Sequence, residues 1–227
     1  MHEIIYRAIS ELDALPVPAS ELAHMKTGDI RAISARLYST LEDKSGTDVF
    51  PICNKLLELR DWRLSVIAYD WAYRLRKQYR PETFDLFEEW LIQYVRGWGD
   101  CDDFCTHAFG ELLCQYPELM NRILPWVSRE EFWMRRAAAV ILILPIRKGI
   151  YLGLQPYHIA DLLMQDEHYL VLKGYGWMLK VLSQEEPDAV YDYLLRNQTQ
   201  MPRLAYRYAL EKLSPDMKSK LMGRHDS

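Results

Sequence analysis

Between residues 95 and 110 the chain reads VRGWGDCDDFCTHAFG, which sets one tryptophan, Trp98, beside three carboxylates, Asp100, Asp102 and Asp103. A flat indole next to a carboxylate offers an apolar face and a negative charge at one place. Residues three or four apart share a helix face, so Trp98 and Asp102 are neighbours if the helix already includes Trp98. The same residues also suit a plain helix start. Asp100 with Gly99 can cap, and acids in a first turn are favoured by the helix dipole. Further along, EFWMRRAAAVILI and YLVLKGYGWMLK carry Arg135, Arg136 and Trp177 on otherwise apolar runs.

The elements that must position these residues are helical. Apolar residues recur at spacings of three and four almost throughout, and only 10 glycines occur. The spacing predicts helices over roughly 3–14, 28–43, 47–59, 62–79, 82–96, 101–115, 117–126, 129–146, 156–164, 168–184, 187–197, 201–212 and 215–222. LPVPAS, YRPE, KSGTD and RKGIYLGLQP supply the breaks between them, and YPEL and EEPDAV place proline at or near a first helical position. Short helices joined by short connections suggest pairs stacked into a solenoid. RDWRLSVIAYDWA, REEFWMRRAAAVIL and DEHYLVLKGYGWMLK are weak echoes of one another. A plain orthogonal bundle fits the same periodicity.

At 227 residues, with 49% hydrophobic and 12% aromatic content, the chain has ample material for a buried core. No run approaches a membrane span, and the start MHEIIYRAISELDAL reads as an amphipathic helix, so a cytoplasmic location is expected. Cys53, Cys101, Cys105 and Cys114 contain no C-x-x-C pair, and the six histidines form no cluster, so reduced thiols and no metal are expected. The formal net charge of −4 is the wrong sign for holding DNA by bulk electrostatics. Segregation can reverse that locally, as where the basic RDWRLSVIAYDWAYRLRKQYR is followed by the acidic PETFDLFEEW.

The order WGDCD, then FWMRRAAAV, then LKGYGWMLK followed by PDAVYDYL resembles the AlkD-like DNA alkylation repair proteins, over roughly residues 20 to 212. The resemblance implies an all-α, HEAT-like repeat superhelix, taken as one domain across 1–227 with residues 1–19 as an N-terminal helix and linker. It also implies a monofunctional glycosylase for cationic N3- and N7-alkylated purines in double-stranded DNA, acting as a monomer without metal or cofactor. Carried over by motif, the site is Trp98, Asp102, Arg136 and Trp177. Two departures stand out: Gly99 replaces the acid that commonly follows the first tryptophan, and Asp103 follows the matched carboxylate, leaving Asp102 and Asp103 both open for the role.

An alkylated purine is already a good leaving group, and a carboxylate near C1′ stabilises the oxocarbenium-like sugar left behind. Asp102 suits that role, the two indoles suit the sugar and the cationic base, and Arg136 suits a neighbouring phosphate. Lys148, Lys173, Arg203 and Arg207 are candidates for backbone phosphates. The competing expectation is a catalytically inactive scaffold whose helical surface binds DNA or a protein.

Overall fold

The computed structural model describes residues 3–16 and 26–223, and every regular element among them is helical. The chain divides into two compact units, Met1–Arg96 and Gly97–Ser227. Residues 17–19 of the expected linker lie outside the described residues.

The first unit holds α1 (Glu3–Asp13), α2 (Thr27–Ser39), α3 (Gly46–Glu58), α4 (Trp62–Arg74) and α5 (Thr83–Gln93). Helix α4 packs on α1, α2 and α3 and buries Leu64, Ile67 and Trp71. Asp61 starts it by accepting the Arg63 backbone N–H, and the Trp71 indole donates to the Ser34 carbonyl at 3.1 Å, so the polar edge of a large core side chain is satisfied.

The second unit opens with α6 (Trp98–Phe104), a π-helical turn (Cys105–Phe109) and α7 (Gly110–Gln115) in direct succession. It continues with α8 (Met120–Ile123), α9 (Phe132–Val140), α10 (Ile143–Arg147), α11 (Pro156–Leu163) and α12 (Tyr169–Glu185). The unit closes with α13 (Pro187–Arg196), α14 (Arg203–Leu210) and α15 (Pro215–Met222). Helix α6 packs on α9, α9 on α12 and α12 on α14, while α10, α11 and α13 also pack on α12. This is the all-α stacking of helix pairs expected from the repeats.

The differences from expectation lie at helix ends. The helix expected from 101 starts at Trp98, because Gly97 is extended (φ −146°, ψ 174°) and serves as the N-cap without a side-chain bond. Asp100 is therefore inside the first turn rather than at the cap. The helix expected over 129–146 begins at Phe132, after an extended Glu131, and is interrupted after Val140. Pro145 has no N–H to donate back to Ile141, which accounts for the break. All four cysteines are buried free thiols. Among the described residues no helix is long and apolar enough to cross a membrane, and no group of three or more His, Cys, Asp or Glu could hold a metal ion.

Helix α12 carries two internal glycines, each costing roughly 0.5–1 kcal/mol relative to alanine. Close packing explains both. A Cβ on Gly176 would stand 2.8 Å from the Ala205 carbonyl oxygen and 2.8 Å from Tyr208 Cβ, so α12 and α14 meet through the missing methyl group. Gly176→Ala should therefore lower folding stability by about 1–3 kcal/mol, the cost of overpacking. Thermal denaturation should show this as a midpoint lower by several degrees; an unchanged midpoint would mean the two helices separate without cost.

Candidate functional site

Trp98 and Asp102 from α6, Arg136 from α9 and Trp177 from α12 line one cleft of about 320 Å³ in the second unit. Because α6 already includes Trp98, the indole and the Asp102 carboxylate share a helix face one turn apart. Trp98 is not core: 56% of it is exposed, in contrast to Trp71, Trp90 and Trp126, which are buried. Leaving so large an apolar surface in water forgoes burial worth roughly 1.5–3 kcal/mol. A ligand seated in the cleft would recover part of that.

Arg136 lies behind the carboxylate and is only 5% exposed. Its Nε–H donates to Asp102 Oδ1 at 2.7 Å, Nη2–H donates to Oδ2 at 2.7 Å, and Nη1–H donates to the Leu170 carbonyl. The phosphate contact expected of Arg136 is thus replaced by a structural one, since the planar fork is spent on Asp102. Burial pushes the Asp102 carboxyl above the ordinary carboxylate value, with the hydrogen bonds and charge of Arg136 pulling it down. Burial also works against the Arg136 charge, but its bonds to Asp102 outweigh this and raise it. The two groups form a buried ion pair, and removing one partner of such a pair typically costs about 3–5 kcal/mol.

Other bonds hold the frame around this pair. The Cys101 thiol donates to the Trp133 carbonyl at 3.4 Å, tying α6 to α9. Arg135 pairs with Asp166 at 2.5 Å, just before α12. The His168 ring stacks on Phe132 with centroids 4.1 Å apart, while its Nδ1 accepts the Leu170 N–H. The first turn of α12, which supplies the Leu170 carbonyl to Arg136, is therefore fixed against α9.

The rim is cationic and aromatic. Lys173 and Lys180 flank Trp177 on α12 at helical spacing and also line the cleft. The Lys173 ammonium sits 5.4 Å from the Tyr169 ring centroid and 5.8 Å from that of Tyr208. Lys180 sits 5.5 Å from the Tyr208 centroid and pairs with Glu211 at 2.7 Å. Tyr169, Lys180 and Tyr208 were missed from sequence. The spacing from Trp177 could have found Lys180, whereas Tyr208 comes from α14 and has no local signal.

The remaining expected residues are elsewhere. Lys148 pairs with the buried Glu111 of α7, and Arg203 and Arg207 line a separate concavity of about 240 Å³ with residues of α15. Asp103 faces His107, with Nδ1 3.4 Å from Oδ1. Of the two adjacent aspartates, Asp102 is the one that lines the cleft.

Asp100 has a pH-dependent consequence. Burial, reinforced by the charge of Asp103, raises its carboxyl from 3.8 to about 6. A raised acid disfavours the ionised folded state. The penalty is absent below the unfolded value and complete above about 6, so this group lowers stability as pH rises through that window. Asp100→Asn should match the wild type in folding stability at low pH and exceed it above neutrality by up to about 3 kcal/mol, read from denaturation midpoints at the two pH values. Equal midpoints at both ends would mean that Asp100 is well solvated.

Residues 21–213 match the family described as DNA alkylation repair enzyme. No curated protein matches the chain at a significant level. Among solved structures, the chain is similar to a protein described as a predicted DNA alkylation repair enzyme from Enterococcus faecalis, with a TM-score of 0.65 and 15% identity over 94% of this chain and 96% of that one. It is also similar to smu.31 from Streptococcus mutans, with a TM-score of 0.62 and 17% identity over 93% of this chain and 100% of that one. At such identities these structures speak to fold alone, and the fold agrees. The sequence match spans most of the chain, including every residue that lines the cleft, and on that ground this protein belongs to the DNA alkylation repair enzyme family.

Proposed function

We propose that the cleft is the active site of a DNA glycosylase that releases cationic N3- or N7-alkylated purines from duplex DNA. The observation that carries this reading is a carboxylate, Asp102, held from behind by Arg136 and facing a cleft walled by the indoles of Trp98 and Trp177. Alkylation puts a positive charge on the base, and cation–π contact with an indole is worth about 0.5–2 kcal/mol depending on desolvation. Neutral purines gain less.

The chemistry needs little from the protein. The bond between C1′ and the base nitrogen breaks, its electron pair leaves with the base, and the cationic base becomes neutral. The sugar takes up the positive charge as an oxocarbenium-like species. Asp102 supplies the opposing charge close to C1′ and accepts a hydrogen bond from the attacking water, whose oxygen bonds to C1′ and whose proton passes to the carboxylate or to solvent. Free base and an abasic sugar result. Arg136 acts through Asp102 as a positioning residue, and Lys173 and Lys180 on the rim supply charge for the flanking phosphates.

Asp102→Asn keeps the size, removes the charge and gives up one of the two acceptors that Arg136 uses. Losing one electrostatic stabiliser costs about 2.7–4 kcal/mol, so single-turnover release of 7-methylguanine should fall roughly a hundredfold or more, with binding to undamaged duplex little changed. A variant as fast as wild type, or a wild type that releases no base at high enzyme excess, would leave only a binding role. Glu211→Gln frees Lys180 from its ion pair, so duplex affinity should rise and the plot of log affinity against log salt should steepen by about one phosphate contact. An unchanged slope would remove Lys180 from the DNA interface.

A further inference from the structure

Helix α12 has a glycine at position 174 where nothing in its own backbone asks for one: Gly174 sits mid-helix and is buried. Its neighbour is Arg136. A Cβ built at this position would lie 3.1 Å from Arg136 Cγ, 3.3 Å from Nη1 and 3.6 Å from Val140 Cγ1. The first two distances are tighter than most Cβ contacts, so Arg136 would have to give by a few tenths of an ångström. A free arginine would swing aside at little cost, but this one is fixed at three points: two on Asp102 and one on the carbonyl of Leu170, one turn before Gly174. Yielding to a methyl group therefore means losing or distorting one of those bonds.

We propose that Gly174 is a positioning residue for the site: its missing side chain leaves the slot in which the Arg136 guanidinium lies while it holds Asp102 toward the cleft. The proposal rests on Asp102 as the working carboxylate. It explains why a 17-residue helix carries a poor helix former one turn before Trp177. It also distinguishes the two glycines of α12, because Gly176 faces the backbone of α14 whereas Gly174 faces a functional side chain.

The carboxylate itself reports the effect. The ionisable groups around Asp102 are Cys101 from α6 itself, Arg136 from α9, Cys105 from the π-helical turn, Tyr169, Lys173 and Lys180 from α12, and Tyr208 from α14. Gly174→Ala alters none of them chemically and disturbs only the hold of Arg136, which is what pulls the Asp102 carboxyl down. The experiment is a carbon-13 NMR titration of the Asp102 carboxyl, assigned by its loss in Asp102→Asn. It uses the full chain as wild type, Gly174→Ala, Arg136→Ala and the double variant.

The Asp102 midpoint should rise by roughly one unit in Gly174→Ala, in the same direction as in Arg136→Ala. In the Arg136→Ala background, adding Gly174→Ala should leave the midpoint unmoved and should raise the denaturation temperature, because alanine is then only a better helix former. If Gly174→Ala alone does not fold, the double variant should fold. A wild-type midpoint in Gly174→Ala, a further shift on adding it to Arg136→Ala, or a double variant less stable than Arg136→Ala alone would each overturn the proposal. Where base release is measurable, its acid limb should move up with the Asp102 midpoint. A chain that releases no base but shows the expected titrations loses the glycosylase reading and keeps the role of Gly174.

Discussion

The second unit is organised around one expensive interaction, the buried pair between Arg136 and Asp102. Taking two charges out of water costs several kcal/mol per ion, and the pair repays this only when its geometry is good and the remaining hydrogen-bonding groups are satisfied. Here the requirement reaches across three helices: α6 brings the carboxylate, α9 the guanidinium and α12 the carbonyl that takes a third N–H. The Cys101 bond to Trp133, the Arg135 pair with Asp166 and the stack of His168 on Phe132 keep those helices in register. A mispacked second unit would leave a charge stranded, so the fold of this region and the readiness of its cleft stand together.

The chain is acidic as a whole, yet its cleft carries two lysines on the rim. Exposed charges more than about 8 Å apart are largely screened at physiological ionic strength, so an anionic ligand senses the rim more than the total. Lys173 stands over the Tyr169 and Tyr208 rings, which favour a cation without neutralising its full charge, whereas Lys180, over Tyr208, is also paired with Glu211. Between the rim and the deep carboxylate the cleft presents both signs of charge. That suits a substrate with an anionic backbone and a cationic base.

Much of this was legible in the sequence because its signals are local. The 3.6-residue periodicity gave the helices, and proline and glycine gave most of the breaks. Pro145 shows the limit: its effect on the helix begun at Phe132 is felt a full turn earlier, at Ile141, where the residue types themselves are unremarkable. At the site, Trp98, Asp102, Arg136 and Trp177 were found by motif and do converge. What the sequence could not convey was direction. Nothing local says that Arg136 turns inward onto Asp102, that Lys148 is held by Glu111, or that Tyr208 from α14 closes the cleft beside Lys180. Each of these depends on which helices lie side by side, a property of packing between residues tens of positions apart.

The π-helical turn between α6 and α7 sets a phase. Its wider loop takes one more residue than an α-helical turn, so the faces before and after it are offset by about 100° from those of an uninterrupted helix. Residues Gly110 to Cys114 beyond the turn are buried, while Trp98 and Asp102 before it look into the cleft. Deleting a single residue within Cys105–Phe109 would let the rod run straight and, with α7 kept in its seat, rotate the indole and the carboxylate together away from Arg136. Insertions and deletions are therefore constrained in this short stretch by number before they are constrained by residue type, and the length of the turn is itself part of the site.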